Sequence, residues 1–142
     1  MYGTRICLLA ALIVSTTLAE AAEDYVVPAG VSVLTEDQLL NQIIGSTLKT
    51  HRWYAYFLPP SGDQKKGRFK GRSASTGSTK GDWTVNGSLM CRHFDSPTMV
   101  AFNVCFTTNL DGDTVTWYLA TGTPWYSSAG RIKLIAGNPE NF

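Results

Sequence analysis

Charge imbalance is absent from this sequence, and histidine is scarce. Its 142 residues include 12 Lys and Arg, 11 Asp and Glu and 2 His, which gives a formal net charge of +1 at pH 7. Domains that bind nucleic acids through phosphate contacts usually carry a clear basic surplus. The balanced composition therefore does not predict a nucleic-acid partner.

The sequence also lacks an apolar run of the roughly 20 residues that a membrane-spanning helix needs. Its most apolar stretch covers residues 6–18, with Arg5 before it and the sequence Ala-Glu-Ala after it at residues 19–21. A short apolar segment between a positive start and a small-residue cleavage sequence is typical of a signal peptide. We therefore predict a signal peptide over residues 1–21, with cleavage after Ala21, and a mature protein that is periplasmic or secreted and not membrane-spanning.

Cysteine is the third scarce residue, with three in the chain. Cys7 lies inside the predicted signal peptide, so cleavage would leave Cys91 and Cys105. An even pair of cysteines in an exported protein usually forms a disulfide. We predict a Cys91–Cys105 disulfide, which leaves neither thiol free to act as a nucleophile.

The residues around these two cysteines predict an antiparallel hairpin. If Cys91 stands opposite Cys105, the pairs on one face are Met90 with Phe106, Arg92 with Val104 and Phe94 with Phe102. Arg92 is the one residue that does not fit this apolar face, and a one-residue slip would destroy the pattern. We therefore predict strands over residues 89–94 and 100–107, joined by turn residues 95–98.

One helix is predicted near the start of the mature chain, over residues 36–44. Thr35 and Gln38 form a capping box, and Gly45 is suited to the position just after a helix. The apolar residues of this segment form a single stripe, made of Leu39, Leu40, Ile43 and Ile44. We expect a structural helix that packs on a sheet as a plug or a lid.

After Gly45 the sequence is a succession of short strands and turns. Asn86-Gly87 is the strongest hairpin signal, residues 67–72 form a weaker strand, and the Gly- and Ser-rich residues 73–79 are predicted as a loop. The predicted fold is mainly β, an antiparallel meander of about seven or eight strands curled into a small barrel-like sheet, with one N-terminal α-helix. The predicted organisation is a signal peptide, an extended lead-in over residues 22–33 and one β-rich domain over residues 34–142.

The sequence offers no convergent set of catalytic or metal-binding side chains. His51 and His93 have no third ligand at a recognisable spacing, and no serine has an acid–base partner. Residues 109–113 begin like a calcium loop, but position twelve of that pattern is Ala120, where calcium loops need a bidentate Glu. We therefore predict no catalytic residues, no metal and no cofactor.

Two features remain as candidate binding surfaces, and the first is basic. Arg68, Lys70 and Arg72 alternate, so they project from one face of an extended segment. Such a patch would attract an anionic envelope component or an acidic protein partner. The commoner use of such charges is to prevent edge-to-edge aggregation of an exposed edge strand, and we favour that interpretation.

The second feature is aromatic. Trp125 and Tyr126 are adjacent in a loop rich in Gly, Ser and Pro, where both cannot easily point inward. Either one of them is exposed as a contact for a ligand or partner, or both fold over an open end of the barrel.

Several short motifs also suggest a relationship. They are Leu34-Thr35, Ile44-Gly45-Ser46-Thr47, Gly81-Asp82-Trp83, the cysteines Cys91 and Cys105, and Gly137-Asn138-Pro139. Together they resemble a family of small exported bacterial proteins that is known as a domain of unknown function. The resemblance spans most of the mature chain, implies export and a β-rich core, and brings no catalytic residues with it.

The leading hypothesis is therefore a non-enzymatic binding or interaction domain of the bacterial envelope. The alternatives are an enzyme that acts on an envelope component and a purely structural envelope protein. An apolar cavity open to solvent would point to a small ligand, whereas a filled interior would point to surface recognition.

Overall fold

The computed structural model describes residues 25–125 and 131–142, which form a closed antiparallel barrel of eight strands. The strands are β1 (Ser46–Lys49), β2 (Trp53–Phe57), β3 (Lys66–Ser73), β4 (Gly77–Asn86), β5 (Leu89–Phe94), β6 (Val104–Asp111), β7 (Thr114–Tyr118) and β8 (Ile132–Ala136). Each strand pairs with the next, and β8 pairs with β1 to close the barrel. The prediction of a mainly β, barrel-like meander is confirmed. The predicted signal peptide lies outside the described residues.

A short helix precedes β1. It begins as α1 (Glu36–Gln38) and continues as one π-helical turn over Leu39–Ile43. The predicted capping box is present, because the Thr35 hydroxyl accepts from the Gln38 N–H and the Gln38 side chain accepts from the Thr35 N–H. Leu39 and Ile43 are completely buried in the core. The predicted structural helix is confirmed, although it ends at Ile43 because Ile44 is already extended.

Glu36 fixes this helix across one end of the barrel. Its carboxylate lies 2.7 Å from the Lys65 ammonium and accepts a hydrogen bond from the Gly87 N–H at 2.9 Å. The hydrogen bond from Lys65 lowers the pKa of Glu36. The helix is thereby attached to the β2–β3 connection and to the β4–β5 turn, which lie at the same end. We call this end the closed end.

The closed half of the barrel is filled by large apolar side chains. Trp83 is completely buried, and its indole N–H donates to the Leu58 carbonyl at 3.0 Å. A Cβ placed on Gly67 would lie 2.7 Å from the Trp83 ring, so glycine at that position makes room for the indole. The Trp83 indole therefore occupies part of the interior at the closed end.

The predicted register between β5 and β6 is confirmed from Met90 opposite Phe106 to Arg92 opposite Val104. Cys91 lies opposite Cys105 with their Cα atoms 3.9 Å apart, and the two form a disulfide. The predicted pairing of Phe94 with Phe102 is wrong, because Pro97–Phe102 is a 3₁₀ helix. Proline has no N–H to donate to a strand ladder, and the Asn103 side chain takes the place of a backbone acceptor for the Phe94 N–H, at 2.7 Å.

The predicted loop over residues 73–79 is also wrong. The pairing of β3 with β4 continues to Ser73 opposite Gly77, which leaves only three residues in the turn. Gly77 has a φ of +70°, a conformation that glycine adopts without a Cβ clash. The tight turn brings both strands up to the end of the barrel opposite the helix.

Candidate functional site

A cavity of about 600 Å³ lies at the end of the barrel opposite the helix and opens to solvent. We call this end the open end. The cavity is lined by residues of the β1–β2, β3–β4, β5–β6 and β7–β8 connections and by the adjacent ends of the strands. Its aromatic lining consists of Trp53, Tyr54, Phe69, Phe94, Phe102 and Trp125. The barrel is therefore filled at one end and hollow at the other.

The charged residues of the cavity are all basic. Arg52, Arg72 and Arg92 line it, and no Asp or Glu is among the described lining residues. Arg52 and Arg72 are exposed, whereas Arg92 is only 7% exposed. A chain with almost no net charge thus concentrates positive charge around this cavity.

Arg92 reaches the interior because it occupies an inward-facing position of β5. Met90, two residues before it, is buried in the core, and Phe94, two residues after it, packs against that core. Within the described parts of the chain, the Arg92 side chain has neither a hydrogen-bond partner nor a carboxylate in ion-pair contact, and its Nε is buried. Burial lowers the pKa of Arg92 to about 10, so the guanidinium is still charged at neutral pH.

Aromatic rings surround the Arg92 guanidinium. Its central carbon lies 4.7 Å from the Trp117 ring centre, 5.3 Å from Phe106, 5.4 Å from Phe94 and 5.6 Å from Trp125. These distances are within the range of cation–π contacts. The ring centres of Phe106 and Trp117 lie 4.6 Å apart and those of Trp53 and Trp117 lie 6.1 Å apart, with both pairs nearly parallel. The guanidinium is thus surrounded by aromatic rings that also pack against each other.

Trp125 covers this region from the connection between β7 and β8. It is partly buried, and its backbone N–H donates to the Trp117 carbonyl at 2.7 Å. Its ring packs against those of Trp53, Phe106 and Trp117. Trp125 is thus not an exposed contact, and the alternatives given for the pair Trp125 and Tyr126 remain predictions. Tyr126 lies outside the described residues.

The three residues of the predicted basic patch are exposed on the outer face of β3, but their environments differ. Arg68 donates to Asp82 at 2.7 Å and to Asp95 at 2.9 Å, and these hydrogen bonds raise the pKa of Arg68. Lys70 lies opposite Lys80 in the β3–β4 pair, and Arg72 lies at the rim of the cavity. The edge-protection interpretation is wrong, because β3 is paired on both sides within a closed barrel.

The histidines do not form acid–base pairs with carboxylates in the described residues. His93 is exposed, and its Nε2 lies 3.5 Å from the amide nitrogen of Asn103. It stands opposite Asp82 in the strand register, but that carboxylate accepts from Arg68. His51 is exposed in the β1–β2 connection.

Over residues 25–125 and 131–142, no three His, Cys, Asp or Glu residues come close enough together to hold a metal ion. The same ranges contain no helix with the length and apolar character needed to cross a bilayer.

Sequence reasoning did not identify Arg92 as a functional residue. The available signal was its position as the single charged residue on the otherwise apolar face of the predicted β5–β6 hairpin. In the alternating pattern Arg92 is only an exception, whereas in the structure it is the buried cation beside the cavity.

Comparison of the chain with protein-family models, with curated proteins and with solved structures gives no match.

Proposed function

We propose that this chain is an exported, non-enzymatic binding protein that takes a small molecule into the cavity at the open end of the barrel. The observation that carries the proposal is the cavity itself, about 600 Å³ in volume, with six aromatic residues in its lining. Small-molecule sites are typically clefts of about 300–1,000 Å³ with an apolar lining and a few polar groups.

The rigidity of the cavity wall supports the proposal. The strands around it belong to a closed barrel, and the Cys91–Cys105 disulfide joins β5 to β6 next to Arg92. A preformed site loses less conformational entropy on binding than a flexible one. Such a wall therefore favours recognition of a ligand of defined shape.

Export is supported by the same disulfide, which fits an oxidising compartment, and by the signal peptide predicted over residues 1–21. The enzyme alternative has less support, because a general base needs a positioned partner and the described histidines do not contact carboxylates. The purely structural alternative has less support because a structural role does not require a hollow end.

The neutral fluorescent dye N-phenyl-1-naphthylamine tests the proposal, because its emission rises when it leaves water for an apolar site. Thr79 lines the cavity on β4, and its Oγ1 would lie 3.1 Å from a Cβ placed on Gly71, opposite it. Thr79→Phe should therefore fill part of the cavity. Ser78→Phe is the matched control, since Ser78 is the adjacent residue, is exposed and does not line the cavity.

We expect the folded wild-type chain and Ser78→Phe to bind the dye equally, and Thr79→Phe to bind it at least tenfold more weakly. Circular dichroism of both variants checks that the barrel is intact. Equal binding by all three proteins would place the dye outside the cavity and would contradict the proposal. The same would follow if the wild-type chain did not bind the dye.

A further inference from the structure

The ionisable groups of the cavity are arranged by depth. Arg52 and Arg72 are exposed at the open end, and Arg72 lies opposite Tyr54 in the β2–β3 pair. Arg92 lies behind them and is nearly completely buried. Exposed cations attract an anion from solution, and a buried cation binds it more strongly because water competes less. The arrangement is therefore suited to an anion that enters the cavity.

Buried polar groups in the interior around Arg92 lack hydrogen-bond partners. The Nε of Arg92, the indole Nε1 of Trp117 and the hydroxyl of Thr108, which lies opposite Trp117 in the β6–β7 pair, are all buried without a partner among the described residues. Most buried polar groups in folded proteins have a hydrogen-bond partner. The rings around the guanidinium attract its charge but have no oxygen atom that could accept a hydrogen bond, so the Arg92 Nε lacks an acceptor.

The remainder of the cavity lining is apolar or weakly polar. Trp125 lies 5.6 Å from the guanidinium carbon, Trp53 packs against Trp125, and Phe69 also lines the cavity. A volume of about 600 Å³ is much larger than an inorganic anion needs. The ligand should therefore combine an anionic group with an apolar body.

We infer that the cavity binds a small organic acid, whose anionic group pairs with the Arg92 guanidinium and whose aromatic or other apolar body packs against Trp53 and Trp125. This inference rests on the proposed function and specifies the ligand class of the same site. The planar guanidinium suits the group, because it can form two parallel hydrogen bonds to a carboxylate or a similar oxyanion. The opposing interpretation is that the four surrounding rings satisfy the cation and that Arg92 is purely structural.

Two dyes with the same ring skeleton separate these interpretations. N-phenyl-1-naphthylamine is neutral, and 1-anilinonaphthalene-8-sulfonate carries an added sulfonate. We expect the wild-type chain to bind the sulfonate about tenfold or more tightly than the neutral dye. In Arg92→Met, binding of the sulfonate should weaken by about 30-fold, the factor that corresponds to about 2 kcal/mol for a hydrogen bond to a charged group. Binding of the neutral dye should change by less than about threefold.

Arg68→Met is the matched control, because it removes the same charge from an exposed arginine that is paired with Asp82 and Asp95. It should leave the affinities for both dyes unchanged. If Arg68→Met weakened sulfonate binding as much as Arg92→Met, net charge alone would explain the preference. That result would overturn the inference.

A competition experiment with the wild-type chain keeps the inference testable even if Arg92→Met does not fold. The bound sulfonate dye should be displaced by 1-naphthoate, about tenfold less well by the neutral 1-naphthamide, and not by acetate at the same concentration. Equal displacement by naphthoate and naphthamide would show that the anionic group is not recognised. Equal displacement by acetate would show that the apolar body is not recognised, and either result would overturn the inference.

The failures of the two proposals are distinguishable. If the neutral dye binds in the cavity but the sulfonate has no advantage, the cavity is a ligand site and the organic-acid inference is wrong. If Thr79→Phe leaves binding of both dyes unchanged, the cavity is not the binding site and both proposals are wrong.

Discussion

The guanidinium carbon of Arg92 lies 4.7 Å from the centre of the Trp117 ring, inside a barrel in which no described carboxylate balances its charge. Transfer of a charged group from water into a protein interior costs several kcal/mol. Cation–π contacts recover part of that free energy, at about 2 kcal/mol for a desolvated pair. The charge of Arg92 should therefore lower the stability of the fold while it favours binding of the proposed anionic ligand.

We expect Arg92→Met to leave the free energy of unfolding within about 1 kcal/mol of wild type or to raise it, because methionine fills the space without a charge. Arg92→Ala should lower it by about 2–4 kcal/mol, because it leaves a void among the rings. Urea denaturation of the folded proteins measures both values. A loss of more than about 2 kcal/mol in Arg92→Met would mean that the rings fully stabilise the cation.

The helix at the closed end gives a second prediction. Ile43→Ala should lower the free energy of unfolding by about 2–4 kcal/mol, because the Ile43 side chain is completely buried in the core. Asn41→Ala is the control in the same helix, since Asn41 is exposed, and it should change stability by less than about 0.5 kcal/mol. Equal effects of the two substitutions would indicate that the helix does not plug the barrel.

The disulfide gives a third prediction. Thiol titration of the denatured, unreduced protein from an oxidising compartment should detect no free thiol at Cys91 or Cys105. Replacing both cysteines by alanine should lower the free energy of unfolding by about 3 kcal/mol, the chain-entropy value for a closed loop of about 15 residues. Detection of two reactive thiols would contradict the disulfide.

The fourth prediction concerns pH. Hydrogen bonds from Arg68 lower the pKa of Asp95 in the folded protein. The stabilisation is therefore complete above the pKa of Asp95 in the unfolded chain, about 3.9, and is lost as the pH falls through the lowered folded value. Arg68→Gln should have a lower Tm than wild type at pH 7, and the difference should disappear near pH 2.

Lys66→Gln is the control for this pH experiment. It removes the same charge from an exposed lysine whose ammonium lies 3.9 Å from the Asp63 carboxylate, a longer and weaker pair. Its Tm should follow that of wild type over the whole range. A difference between Arg68→Gln and wild type that persists at pH 2 would mean that Arg68 acts by packing and not by charge.

The outer face of β3 gives the fifth prediction. Arg68 is neutralised by carboxylates and Arg72 lies at the rim of the cavity, so a role in binding an anionic surface would depend mainly on Lys70 and its cross-strand partner Lys80. Lys70→Gln with Lys80→Gln should elute from an anionic matrix at lower salt, because exposed charges are screened by ions. Its stability should be equal or slightly higher, since like charges directly opposite each other are destabilising.

Lys66→Gln with Lys133→Gln is the control for this fifth prediction, because it removes two exposed charges from other parts of the barrel. Elution of the two double variants at the same salt concentration would show that Lys70 and Lys80 do not form a distinct binding surface.

Much of the fold could be predicted from local signals. The capping box of Thr35 and Gln38 specified where the helix begins, and the alternation around Cys91 and Cys105 specified the register of β5 and β6. Both signals depend on contacts within a few residues or across one hairpin. The barrel class followed because such short strands are separated by turns throughout the chain.

The error over residues 97–102 has a physical cause. Val100 and Phe102 continue the apolar alternation of β6, but both are exposed in a 3₁₀ helix. Pro97 and the hydrogen bond from the Phe94 N–H to the Asn103 side chain determine the backbone there. An alternating pattern carries no information about such a side-chain acceptor.

The cavity could not be derived from the sequence in the same way. Phe94, Phe106, Trp117 and Trp125 belong to four separate segments, and folding of the barrel brings their rings together around one arginine. Sequence reasoning identified Trp125 as unusual but could not identify its contacts. The sequence pattern also showed that Arg92 does not fit the apolar face of the hairpin, but it did not predict that Arg92 would be buried beside a cavity.

Closure of the barrel also has a consequence for how the chain folds. Seven of the eight strand pairings in the described residues join neighbours along the chain, and the remaining one places Ser46 of β1 opposite Ala136 of β8. Local hairpins form quickly, whereas a pairing between residues so far apart waits for a slow loop closure. Until β8 arrives, β1 has an unpaired edge that other chains can join. The interval between formation of the local hairpins and docking of β8 on β1 is therefore the period in which this protein is most exposed to aggregation.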